Sequence, residues 1–270
     1  MARRKVAQSM LEQSQTFVTK KQSRNSFNDR NDRNHQDRNH RHAAVVVDFD
    51  GHAADHKVKL IPRSTKQEEY IDLLLDESKM IVIATGPAGT GKSMLAVTAA
   101  IKAYKEGKAD RIIITRPAVS VDEEQHGFLP GTLNEKMEPW TRPIFDIFKM
   151  YYKPIDVARM IEDEIIEISP LAFMRGRTFL KSFIIADEMQ NASPNQFKML
   201  MTRIGDGTKL IVTGDTRQTD KRIGENGLLD FQQRTNNFSG QKYIAGVEFS
   251  HKDIQRHPVV GEVLKLYGEE

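Results

Sequence analysis

The chain has 270 residues, 39% of them apolar, ample for a buried core in one large domain or two small ones. It has no cysteine, which excludes disulfides, zinc thiolates and thiol nucleophiles, and no apolar run approaches the roughly 18–20 residues of a membrane span. The formal charge of +3 divides unevenly. Residues 1–42 carry ten Lys/Arg against four Asp/Glu, net +6, and the remainder carries 30 against 33, net −3. The body is mildly acidic, so any nucleic-acid contact it makes comes from a local patch.

In chain order, MARRKVAQSMLEQSQ is basic but lacks the apolar stretch of a signal peptide, so a cytoplasmic protein is the simplest expectation. Residues 21–42 repeat Asn-Asp-Arg with almost no apolar side chains and predict a disordered tail, either plainly solvated or an electrostatic arm for nucleic acid. The first unit is therefore a polar tail over 1–56. From residue 57 to 270, short apolar runs alternate with helical patterns, as in a parallel α/β sheet with helices on both faces.

Strands are expected at 80–85, 111–115, 164–168, 182–187, 209–214 and 243–249, with a helix over 92–106. Ser193 reads as the N-cap of a further helix and Pro194 as its first residue, with Phe197, Leu200, Met201 and Ile204 on one face and Gly205 as the stop. Pro258 opens a last helix with Val260, Val263, Leu264 and Tyr267 together. The segment 119–152, with Trp140, is too apolar for a free loop; packing is the default role of that tryptophan and base stacking the alternative.

The chemistry begins at Gly86-Pro-Ala-Gly-Thr-Gly-Lys92-Ser93, which fits G-x-x-x-x-G-K-[ST] between a strand and a helix. Its glycines allow a turn that aims backbone N–H groups at phosphate oxygens, and the helix beginning there adds its positive end. Gly86, Pro87, Ala88, Gly89, Thr90, Gly91, Lys92, Ser93 and Met94 are thus the nucleotide-binding candidates. Lys92 would neutralise the β/γ-phosphates and the Ser93 hydroxyl would hold Mg²⁺. The strand SFIIADE ends in two acids, which are costly there unless a cation or water uses them. Asp187 is the metal-directed acid and Glu188 the group that polarises the attacking water. Past the next strand, Asp215 sits where it would hold the turn, and Gln218 where an amide would orient water or meet the γ-phosphate. Arg116, at another strand end, would meet a phosphate of nucleotide or nucleic acid, or is a plain surface arginine.

These motifs resemble the PhoH family of ATPases, related to superfamily 1 helicases. The resemblance covers roughly residues 60–270. It rests on GPAGTGKS, TRPAVSVDEEQHGFLPGTLNEKMEPWTRPIFD, the RGRTF-to-ADEMQN segment, KMLMTRIGDGTKLIVTGDTRQ and IQRHPVV. It implies a RecA-like P-loop core, ATP and Mg²⁺ as the bound species, ATP hydrolysis, and helicase-like work on single-stranded nucleic acid, RNA favoured. By the same resemblance Thr65-Lys66-Gln67 with Tyr70 is similar to the glutamine motif that recognises adenine, Gln218 to the helicase motif III glutamine, and Arg256 to an arginine finger. Some relatives carry an N-terminal nuclease domain; some 60 mostly polar residues are not expected to hold one. Superfamily 1 helicases sandwich ATP between two such domains, and this chain has length for one. The expectation is a homo-oligomeric ring, a hexamer, with Arg256 acting on a neighbour's ATP and Arg203 as second choice. The alternatives are a nucleotide-switched assembly factor for proteins and a small-molecule kinase, the latter disfavoured by Glu188 and Gln218.

Overall fold

The strands form because their residues are β-branched and apolar on both faces, as a sheet covered by helices on each side requires. The computed structural model describes residues 58–117, 133–217 and 226–256, with 259, 260, 263 and 266. The tail over 1–56 and Gln218 lie outside the described residues, as does the side chain of Trp140.

Within them run α1 (Thr65–Leu75), β1 (Ile81–Thr85), α2 (Lys92–Lys105), β2 (Arg111–Thr115), α3 (Leu133–Phe148), α4 (Pro154–Glu162), β3 (Ile166–Ile168), β4 (Ser182–Ala186), α5 (Pro194–Met201), β5 (Lys209–Gly214), α6 (Gly227–Asn236) and β6 (Ile244–Glu248). The six strands form one sheet in the order β3-β2-β4-β5-β1-β6, every pairing parallel. Successive strand residues alternate between two cores. Val82, Ile112, Ile114, Ile185 and Ile211 face the side of α1 to α4, whereas Ile83, Ile113, Ile184, Leu210 and Val212 face the side of α5 and α6. This is the expected RecA-like α/β core.

Three local readings change. The strand expected over 164–168 starts at Ile166, because Glu164 has a positive φ of 60° and still belongs to the turn out of α4. Ser193 caps α5 through a full capping box with Gln196, and Pro194 opens it, as expected. The helix ends at Met201, however, and Ile204 pairs with Phe179 in an isolated bridge instead of extending the helical face. At the C-terminus Val259, Val260, Val263 and Leu266 are helical, but Val263 is 42% exposed rather than part of a buried face.

The order of strands matters for the site. β5 lies between β1, which leads into the phosphate loop, and β4, which leads into the two acids. All point the same way, so their C-terminal ends meet in one crevice, where parallel α/β sheets bind ligands.

Candidate active site

The loop leaves β1 at Gly86, whose φ of +131° and surroundings both require glycine: a Cβ there would lie 2.4 Å from the Phe249 carbonyl oxygen. The Gly86 N–H donates to Gly214 O at the end of β5 (3.2 Å), joining loop and neighbouring strand. Lys92, the first residue of α2, is 8% exposed. Its ammonium donates to Gly86 O (2.6 Å), Pro87 O (2.8 Å) and Thr90 Oγ1 (3.2 Å), so the charge lies inside the curve of the loop. Burial pushes its pKa down, while Asp215, Asp187 and Glu188 oppose that shift. The unpaired N–H groups of the first turn of α2 open at the same place.

The acids arrive from β4. Asp187 is fixed by its N–H donating to Thr115 O (3.0 Å), and its Oδ1 accepts from Ser93 Oγ (2.9 Å) and from Thr213 Oγ1 (2.5 Å). Ser93 and Asp187 therefore present hard oxygen donors side by side, which fits Mg²⁺, a cation that takes few protein ligands and completes its shell with phosphate and water. Among the described residues no cluster of three or more His, Cys, Asp or Glu side chains would hold a metal by itself.

Glu188 has φ +54°, a left-handed conformation that costs a non-glycine residue roughly 1–2 kcal/mol. That turn carries its carboxylate into the crevice. Oε2 accepts from Gln190 Nε2 (2.6 Å), and Oε1 stands 3.9 Å from the Arg116 guanidinium. Arg116 thus faces an acid of the site. Ala88, Gly89 and Gly91 to Met94, with Asp187, Glu188, Gly214 and Asp215, line a crevice of about 250 Å³. Asp215 holds its turn, as expected, by accepting the Arg217 N–H (3.0 Å).

Three further residues singled out in the sequence make contacts of their own within the chain. Gln67 is 4% exposed; its Oε1 accepts from the Arg63 N–H (2.8 Å) and its Nε2 donates to Thr90 O (2.9 Å). Its amide braces the loop from beneath. Tyr70 packs below, fully buried and edge-on to Phe249 at 5.7 Å, its pKa raised by burial and then by the charge of Asp187. Arg256 lies against its own loop: Gln255 N–H donates to Gly89 O (2.9 Å), and a Cβ on Gly89 would come within 2.4 Å of Arg256 Nε. Within the chain its guanidinium therefore stands over the phosphate loop. Arg203 lies beyond the end of α5 and donates to Met199 O (3.2 Å), Arg177 O (3.2 Å) and Thr202 Oγ1 (3.1 Å). Those bonds tie it to the connection preceding β4, at the opposite end of the sheet from the loop.

Residues 59–268 match the family described as PhoH-like protein. A PhoH-like protein of Bacillus subtilis is 41% identical over 205 residues, 76% of this chain and 62% of that one. Protein PhoH of Escherichia coli is 36% identical over 211 residues, 77% and 58%. The chain belongs to the PhoH family. This PhoH-family chain spans about 60% of the length of those relatives. Among solved structures, Pif1 helicase from Candida albicans is similar at a TM-score of 0.36 and 14% identity, covering 77% of this chain and 44% of that one. Domain III of the Thermotoga maritima replication initiation protein DnaA is similar at 0.34 and 11%, covering 78% and 73%. Both are too remote to assign anything to the site. No described helix is long and apolar enough to cross a membrane.

Two residues of the site lie inside family-like segments but have no role that the sequence alone assigns. Thr213 reads only as an inward residue of an apolar strand, and Gln190 only as a polar residue after the acids. The strand order brings Thr213 to Asp187, 26 residues away, whereas Gln190 meets Glu188 across two residues of one turn.

Proposed function

We propose that this PhoH-family chain hydrolyses ATP with Mg²⁺ and couples hydrolysis to single-stranded nucleic acid, RNA favoured. The observation that carries the ATPase reading is the convergence of the Lys92 ammonium, the Ser93–Asp187 oxygen pair and Glu188 on one crevice at the C-terminal ends of β1, β4 and β5. Mg²⁺ supplies charge neutralisation on the phosphates. Lys92 exchanges loop carbonyls for phosphate oxygens, Ser93 and Asp187 orient the cation-facing side, and Glu188 accepts the proton of the attacking water through Oε1, since Oε2 is occupied by Gln190.

The nucleic-acid reading rests on the helicase-related motifs and on one surface feature. Phe173 is 60% exposed, in a short 3₁₀ turn whose first residue, Leu171, donates its N–H to Arg116 O, at the site's end of β2; exposed Arg175 follows. An exposed ring beside an arginine suits base stacking and phosphate pairing.

The test is phosphate release with and without single-stranded RNA. Lys92→Ala is expected to lose ATP binding and turnover together, and Glu188→Gln to keep binding but lose about 10²–10⁴-fold in rate. Normal turnover in Glu188→Gln would remove Glu188 from that role, and a rate indifferent to RNA would remove the coupling.

A further inference from the structure

Gln190 is 2% exposed and bridges two strands' ends. Its Nε2 donates to Glu188 Oε2 (2.6 Å), and its Oε1 accepts the Asp215 N–H (3.1 Å). The amide has one orientation only: turned over, its oxygen would face a carboxylate and its NH₂ a backbone N–H. It also bears on β5 itself, because a Cβ on Gly214 would fall 2.7 Å from Gln190 Oε1, so the strand narrows to glycine where the amide passes. The backbone of Asp215 leads within three residues to Gln218, and Gly214 O holds the start of the phosphate loop.

From this geometry we infer that Gln190 is the positioning residue of the hydrolytic step: it holds Glu188 in register with the end of β5, so that a shift of that strand end moves the base. Glu188 sits in a strained left-handed conformation, and a short bond from a buried amide keeps one carboxylate oxygen fixed while the other is left for water. Arg116 at 3.9 Å is too distant to fix the carboxylate alone. The inference rests on the reading of Glu188 as base, and the experiment separates the two.

In the full chain, Gln190→Met keeps the volume and removes both bonds. Gln190→Glu keeps the acceptor for Asp215 N–H but replaces the donor facing Glu188 with an oxygen. Both are expected to lower kcat about 10–100-fold, the cost of misplacing a reacting group by about 1 Å, with ATP affinity held within about 2-fold. The decisive measurement is the single-turnover rate on radiolabelled ATP with Gln190→Glu in the Glu188→Gln background. A residue acting through Glu188 costs nothing further there, whereas one supporting the fold in general multiplies the loss. Near-normal kcat in Gln190→Glu overturns the inference, as does a loss that simply multiplies. If Gln190→Met fails to fold, Gln190→Glu carries the test. Full activity of Glu188→Gln alone would instead defeat the underlying reading of the base.

Discussion

Gln67 offers the sharpest distinction between a role implied by resemblance and one set by contacts. Gln67→Met retains the side-chain length but removes the acceptor of the Arg63 N–H and the donor to Thr90 O, at a position 4% exposed. The two backbone groups left behind lose their partners. Thr90 is fully buried, so its stranded carbonyl costs roughly 1–3 kcal/mol, whereas Arg63 is exposed and its N–H turns to water; the change should cost about 1–3 kcal/mol of stability. For a folded unit of this size that corresponds to a melting temperature lowered by about 2–12 °C. Because Thr90 belongs to the loop, ATP and GTP affinities should weaken together. Thermal melting and titration with fluorescent analogues of both nucleotides check this. Unchanged stability with ATP affinity alone reduced would refute the brace and favour adenine recognition.

Arg256→Ala should slow turnover, and mixing it with Lys92→Ala should restore no activity if the arginine serves its own loop; recovery in mixed assemblies would establish action in trans and the ring. Lys209 donates to Leu73 O and Asp76 O at the end of α1, and burial pushes its pKa down from 10.5 to about 8. Between those values the unfolded chain holds a proton that the folded chain has released, so this group makes stability rise with pH. Relative to Lys209→Met, denaturant melts should gain about 1–2 kcal/mol from pH 8 to 10.5 after allowing for solvent screening, and a parallel pH dependence would refute the shift. Phe173→Ala should weaken single-stranded RNA binding by about 1–3 kcal/mol, measured by anisotropy, without touching ATP turnover in the absence of RNA; equal RNA affinity would exclude that ring as a stacking platform. Deleting residues 1–42 should flatten the salt dependence of RNA binding if the tail is an electrostatic arm, and an unchanged slope would mark it as plain solvated chain.

What the sequence by itself determined is what depends on local order along the chain. The β-branched runs at 111–115 and 209–214 became strands with those bounds, because their patterns bury both faces. The loop from Gly86 to Ser93 and the acids Asp187 and Glu188 were legible because phosphate and Mg²⁺ chemistry demands those residue types at fixed spacing. The Ser193 cap was equally plain, since its partner, Gln196, lies three residues away. Only the tertiary structure decided which distant groups meet. The placement of β5 between β1 and β4 brings Thr213 to Asp187 and the Asp215 N–H to Gln190, 25 residues apart in the chain. The same packing closes Gln67 under Thr90, 23 residues on, and lays Arg256 over Gly89. Spacing announces a group whose partner is a neighbour in the chain, and the strand order of the sheet selects the partner of a side chain when the two are far apart.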